Sequence, residues 1–401
     1  MMLKLAAGAM LAAAVGGPPA ELAELFGGTH AVPAEVAAET LLRLAEDERW
    51  PADLRVSTLQ QAFERAVGAN EAMARRLAGG RRETGAAHLL ARSYDLGLDR
   101  LTLEGRAVEA LSAVQPELAR KLFDRMAYPA LGSPGCEVLL VERPDAYFRA
   151  AAVVARRSFP ADGPGRAAFV GEIVKKLHQP GAATATVLLV AKAEVTAVQR
   201  KELERLLAEA LEGMAGTDRG FSTTAWELAD ALKELKSPVV EAAGRSYALR
   251  HMKQARCEDS ASRAAEVDRM RRAFGLTVAV QASELLESPM EEDDPPREGA
   301  PEGGPRPLRE RALAALEAAQ RQQGEARHRA LEELARMLSD GGLGSPEGLV
   351  WLAACQETLA ASARLNPAVH EELAGRLERG TNVTLAAWTK VQRLLPRKPI
   401  R

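Results

Sequence analysis

The stretch HMKQARCEDS gathers His251, Lys253, Cys257, Glu258, Asp259 and Ser260, the tightest group of reactive side chains in the chain. Covalent catalysis needs a nucleophile, a base within hydrogen-bond reach and a third group that orients the base. Arg256 beside Cys257 favours the thiolate. His251 lies six residues before the cysteine, more than a turn and a half along a helix, which separates base from nucleophile. A structural or disulfide-bonded cysteine is therefore the simpler reading. No Gly-x-Ser-x-Gly elbow supplies an alternative nucleophile.

Metal chemistry fares no better. None of the six histidines, His30, His88, His178, His251, His328 and His370, has a second histidine four residues away, and no Cys-x-x-Cys occurs. His370 in VHEELAGRL starts like a metalloprotease helix, but no second histidine follows at the required spacing. Val369, Leu373 and Leu377 instead mark an apolar stripe there, with His370 on the wet side. Nucleotide-binding glycine patterns are missing too. GGLGSP at 341–346 reads as a helix C-cap followed by a new N-cap. The sequence thus assigns no catalytic, cofactor-binding or metal-ligating residue, and no cofactor. Carboxylate pairs for glycoside hydrolysis cannot be singled out among so many acidic residues on helix faces.

Three cysteines remain to be placed. Cys355 in LVWLAACQETLA sits on a helix face with Leu352 and Leu359 and reads as a small buried hydrophobe. Cys136 and Cys257 lie in polar, turn-like contexts and are the better pair for a disulfide. Such a bridge closes a loop of roughly 120 residues and adds ~4–5 kcal/mol in the chain-entropy account. Two unrelated thiols are the alternative.

Basic residues form short patches. ARRLAGGRRE carries Arg75, Arg76, Arg81 and Arg82; others are Arg156–Arg157, Lys175–Lys176 and the tail RLLPRKPIR. No aromatics alternate with them as stacking platforms for bases. Formal net charge is −2, so no basic excess points to nucleic acid or an anionic membrane. If the Arg75–Arg82 patch borders a binding surface, an acidic partner is favoured.

The elements that must position these residues are helices. Hydrophobic residues make up 47% of the chain and aromatics only 4%, an Ala-, Leu- and Val-rich mixture suited to helix-on-helix packing. Proline recurs at the front of helix-like runs: Pro33, Pro51, Pro116, Pro144, Pro164, Pro238, Pro346 and Pro367. At the first helical position its missing N–H has no intrahelical partner to lose, and its φ is already helical. After Pro116, the positions Leu118, Ala119, Leu122, Phe123 and Met126 make one apolar stripe. Ser237, Ser345 and Asn366 stand where N-caps belong, and Thr196 with Gln199 and Thr224 with Glu227 read as capping boxes.

Intervals of 18 residues from Pro33 to Pro51, 20 from Pro144 to Pro164 and 21 from Pro346 to Pro367 each hold one helix and a short connection. Short connections make neighbouring helices antiparallel, and each single apolar stripe must be buried against the next hairpin. The expected fold is all-α: an irregular α/α superhelix, a helical-hairpin solenoid that resembles tetratricopeptide and HEAT proteins in general architecture. The Trp, Gly, Tyr and Ala positions of the tetratricopeptide pattern do not recur. Three β-branched runs, 136–142, 183–195 and 276–281, are read as buried helical segments, with a small sheet as the alternative.

Four regions follow. Lys4, the uncharged run Leu5 to Val15 and the small residues Gly16, Gly17 and Ala20 suggest a signal peptide over 1–20, the alternative being a buried helix of a cytosolic protein. Residues 21–286 form an α-helical repeat-like domain. The Pro-, Gly- and acid-rich segment 287–307 is a linker, and 308–401 is a smaller helical region. No stretch is long and apolar enough for a membrane span. The resulting expectation is an exported, periplasmic or secreted, non-enzymatic scaffold that binds a protein or peptide, of undetermined oligomeric state; a cytoplasmic location is the alternative. The rival is an α-helical cell-envelope hydrolase or lyase with a carboxylate site, since superhelical lytic transglycosylases show that such arrays carry catalytic domains. The resemblance extends only to architecture, since no Glu-Ser motif opens a lysozyme-like domain in this chain.

Overall fold

The structure, a computed structural model, describes residues 32–46, 50–69, 73–77, 91, 94–131, 140–160, 163–214, 221–254, 260–276, 308–343 and 348–394. The signal-peptide segment 1–20, the linker 287–307, Arg81, Arg82, Ser345, Pro346, Cys136 and Cys257 lie outside the described residues, as does 277–281. Sixteen α-helices and one two-stranded sheet account for the regular structure described, so the chain is all-α in class.

Two compact units divide the chain. One takes Met1–Leu44 and Pro307–Arg401, the other Ala45–Arg306. The division places α1 (Ala34–Ala45), all but its last residue, with the C-terminal helices, whereas the sequence expectation grouped it with 21–286.

In the larger unit the helices are α2 (Ala52–Ala66), α3 (Arg100–Val114), α4 (Pro116–Phe123), α5 (Asp145–Ser158), α6 (Pro164–Lys175) and α7 (Ala183–Ala191). They continue with α8 (Ala197–Gly213), α9 (Phe221–Leu235), α10 (Pro238–Gln254) and α11 (Ser260–Phe274). Pro116, Pro164 and Pro238 are the first residues of α4, α6 and α10, while Pro51 and Pro144 immediately precede α2 and α5. The missing N–H therefore costs these helices no internal bond. Thr196 caps α8 with Gln199 in a reciprocal capping box. Helix α2 packs on α3, α3 on α5, α5 on α7, α7 on α9 and α9 on α11; α6 packs on α8 and α8 on α10. The few aromatics concentrate around α4 to α6. Phe123 lies 5.0 Å from Tyr147 and 5.3 Å from Phe169, ring centre to ring centre, and Tyr128 lies 5.5 Å from Tyr147. Close approach matters most at Gly105 on α3, where a Cβ would stand 2.9 Å from the Ala146 carbonyl oxygen of α5.

The β-branched runs separate. Of the run 183–195, residues 183–191 are the buried helix α7, as the sequence predicts, but 192–195 are a turn and an extended connection, because the capping box at Thr196 starts a separate helix. The run 136–142 is not a helix where it is described: Leu140–Glu142 forms β2, antiparallel to β1 (Arg75–Leu77), with Arg75 opposite Glu142, Arg76 opposite Val141 and Leu77 opposite Leu140. Two facts explain the difference. Pro144, directly before α5, disfavours helical backbone at the residue preceding it and favours an extended one. The partner strand lies 67 residues upstream, where no local pattern reveals it. Of 276–281, only Leu276 is described, just past the end of α11. The Thr224 capping box also fails, because α9 begins at Phe221 and Thr224 is inside it. Ala225, Leu228 and Leu232 are buried in α9, and the helix begins one turn before the first of them.

The smaller unit contains α12 (Leu308–Arg321), α13 (Gly324–Ser339), α14 (Gly348–Leu365), α15 (Pro367–Arg379) and α16 (Val383–Leu394). Helix α12 packs on α13 and α14, α13 on α15, α14 on α15, and α15 on α16. Asn366 caps α15 by accepting from the Ala368 and Val369 amides. Val369, Leu373 and Leu377 form its buried stripe. No described helix is long and apolar enough to cross a membrane.

Candidate functional site

A groove of about 360 Å³ opens on the larger unit where α5, α7 and α9 lie side by side. Helix α9 contributes Trp226, Glu227, Asp230, Ala231 and Glu234, all within one face of a helix. Gly181, Thr184, Ala185 and Leu188, spaced three, four and seven residues on from the first, form the floor. The small size of Gly181, Thr184 and Ala185 leaves space above them. Glu142, Arg143, Pro144 and Asp145, at the end of β2 and the start of α5, close one end.

Five carboxylates line this groove against the single guanidinium of Arg143 among its described residues. That guanidinium is already flanked by acid, with Nη1 3.0 Å from Asp95 Oδ1 and Nε 3.2 Å from Asp145 Oδ2. The strand pairing fixes its position, because the Arg143 amide donates to the Ala74 carbonyl at 2.7 Å. Above the apolar floor stands Trp226, 46% exposed and the largest of the exposed hydrophobic side chains described. An indole face among carboxylates attracts organic cations twice over, by charge and by its quadrupole.

Comparison with protein-family models, curated proteins and solved structures returns no match for this chain. The site therefore stands on its geometry alone.

Arg75, the described member of the basic patch with a resolved side chain, is engaged within the fold. It pairs across the sheet with Glu142 at 3.2 Å, and its guanidinium lies 5.3 Å from the Tyr94 ring centre. Arg76 lies in β1, and Arg81 and Arg82 fall outside the described residues. In the reactive stretch 251–260, His251 is fully buried in α10, its ring 6.3 Å from Tyr247, and Ser260 starts α11. Cys355 is a free, fully buried thiol, and burial pushes its pKa far up, which suppresses the nucleophilic thiolate.

One pairing looks catalytic at first sight. Ser362 Oγ lies 2.9 Å from His370 Nδ1. The serine hydroxyl, however, donates to the Leu359 carbonyl at 2.8 Å, which leaves its oxygen to accept from Nδ1–H. Ser362 is fully buried, out of reach of any substrate. The pair is a strut between α14 and α15, and it draws His370 in from the wet side that its spacing suggested.

Among the described residues, two carboxyl groups have raised pKa values. Burial lifts Asp99, although the Thr102 amide and hydroxyl bonds counteract it, and burial lifts Glu104 against its bond from Arg100. Asp99 is the N-cap of α3, accepting from the Thr102 amide at 2.9 Å, and Glu104 lies one turn further along. Neither lines the groove. No group of three or more potential metal ligands occurs among the described residues.

Several arginines do work that the sequence pattern hides. Arg166, only 4% exposed, donates to the carbonyls of Arg156, Phe159 and Glu194 at 3.0, 2.7 and 2.7 Å. Arg200 reaches the Val190 carbonyl in the last turn of α7 and that of Ala193 just beyond it, and Arg250 reaches those of Leu211 and Glu212 in the last turn of α8. These are orphan acceptors at helix C-termini, each supplied by a cation from a neighbouring helix. Arg200 stands four residues after the N-cap Thr196, a position whose spacing alone marks it as an ordinary solvated helix residue.

Proposed function

We propose that this chain is a non-enzymatic helical scaffold that binds a protein or peptide segment in the α5–α7–α9 groove. The observation that carries the reading is that groove itself: an apolar floor and an exposed Trp226, set across three neighbouring helices. In this reading the helices stack as α/α hairpins of the tetratricopeptide or HEAT general type. Support comes from the pairing of α3, α5, α7, α9 and α11, each on the next but one in sequence, while α6, α8 and α10 do the same. Such stacking leaves a continuous face on which an extended segment can lie.

The hydrolase reading would gain from two carboxylates of raised pKa facing one cleft. The groups with raised values, Asp99 and Glu104, are instead tied to Thr102 and Arg100 at the start of α3. That favours the scaffold. Export, with residues 1–20 as signal peptide and a periplasmic or secreted location, belongs to the same proposal. N-terminal sequencing of the protein from fractionated cells tests it, and an intact Met1 on a cytosolic protein refutes it.

Selection from a random dodecapeptide display library on the full-length protein tests the groove. Thr184→Phe fills it from the partly exposed floor position and serves as the counter-target. Peptides retained by the wild type and lost on Thr184→Phe are expected. A library that yields none, from protein with intact helical circular dichroism, overturns the reading.

A further inference from the structure

We infer that the segment held in this groove is cationic, an extended stretch with lysine or arginine at alternate positions; this rests on the groove being the binding site. The Arg75–Arg82 patch suggested an acidic partner, but the described lining has the opposite sign. Glu142, Asp145, Glu227, Asp230 and Glu234 line the groove; Arg75 pairs with Glu142, Arg143 with Asp145 and Asp95, and Lys233 with Asp230, so among the described residues carboxylates still outnumber cations there. An acidic segment would meet a lining of net negative charge.

Spacing refines the sign into a pattern. Glu227, Asp230 and Glu234 rise along α9 in steps of about 4.5 and 6 Å. An extended strand repeats its same-side residues every ~6.8 Å. Three alternating cations laid along α9 therefore meet three successive carboxylates, with flexible lysine stems taking up the difference. Trp226 shares its face with Asp230, one turn on, and offers its ring to the first cation or to an intervening apolar residue. Asp230 is held at 3.0 Å by Lys233, an exposed pair on the same helix that an incoming cation displaces. The apolar floor at Ala185 and Leu188 receives the residues between the cations.

The test is a titration of the full-length protein with Ac-Lys-Ala-Lys-Leu-Lys-Ala-NH2 and its glutamine counterpart, read by tryptophan emission and by calorimetry. The lysine peptide is expected to bind about tenfold tighter at low ionic strength, with the difference shrinking as salt rises. In the triple variant Glu227→Gln, Asp230→Asn, Glu234→Gln the preference falls to within about twofold. Trp226→Phe abolishes the emission change. Single Glu234→Lys, at an exposed position, gives an independent reversal should the triple variant fold poorly.

Equal affinity for the two peptides overturns the inference, as does a preference that survives the triple variant. Spermidine competing at equal molar strength replaces the protein segment with a small polyamine and overturns it as well. The two readings fail differently. Display peptides that lack cations yet are lost on Thr184→Phe leave the groove standing and remove only the cationic partner; no groove-dependent peptide at all removes both.

Discussion

Trp351 and Trp226 show how differently the two units use the same side chain. In the smaller unit Trp351 is 3% exposed, and its indole N–H donates to the Leu338 carbonyl at 2.7 Å, closing the end of α13. Asn382 completes that corner by donating to the Ser339 carbonyl at 3.1 Å. In the larger unit the same task falls to arginines such as Arg166, and Trp226 is left in solvent beside five carboxylates. A buried indole with its N–H satisfied stabilises; an exposed one between acids is available for recognition. The lesson is that a helix-end carbonyl is satisfied equally well by a guanidinium or by an indole, and that Trp226, unlike Trp351, has no share in that task.

The largest effect that tests this contrast is at Arg166. Arg166→Met strips three carbonyls of their donor and should destabilise the larger unit by about 3 kcal/mol. Calorimetry of the full chain should show that transition moving down while the one assigned to the smaller unit stays put. A shift of both together would mean that the units unfold as one body and would break the comparison.

Next comes Gly105→Ala. Its Cβ would meet the Ala146 carbonyl oxygen at 2.9 Å, a backbone atom that cannot swing away. The expected cost is ~1–3 kcal/mol, measured by urea unfolding and again confined to the larger unit.

The tryptophans themselves supply a paired test. Trp351→Phe loses a buried hydrogen bond and part of its packing and should cost about 1–2 kcal/mol, whereas Trp226→Phe should stay within about 0.5 kcal/mol. Equal losses at the two positions would deny that Trp226 is held in reserve.

The smallest effect is a pH dependence at Glu104. Its carboxyl is buried and holds its proton more tightly folded than unfolded, where the ordinary value is 4.5. Folding therefore takes up protons between that value and the raised one. The stability of the wild type relative to Glu104→Gln should rise as pH is lowered from 7 towards 4.5 and then level off. Urea titrations of the two proteins at several pH values give the slope directly, and a relative stability that falls with acid reverses the assignment.

Much of the local structure was legible from residue order. Pro116, Pro164, Pro238 and Pro367 open helices because proline loses nothing at a first position. The Thr196–Gln199 box and the Asn366 cap are short-range devices whose partners lie within three residues, and Cys355 follows the apolar stripe of α14 inward. The site was not legible in the same way. Glu142, Leu188 and Trp226 are ordinary members of three different segments, and nothing in their spacing announces that they share a groove.

The sequence by itself determined the all-α class, most helix starts and the buried stripes, since these depend on backbone conformation and on spacing within a few turns. Tertiary structure alone decided that Arg75 meets Glu142 across 67 residues, that Arg166 is a buried clamp rather than a solvated charge, and that five carboxylates and one exposed indole line the same groove. The physical reason is range. Capping and periodicity are satisfied by neighbours in the chain, whereas strand pairing, carbonyl clamping and the sign of a groove are set by residues that only packing brings together.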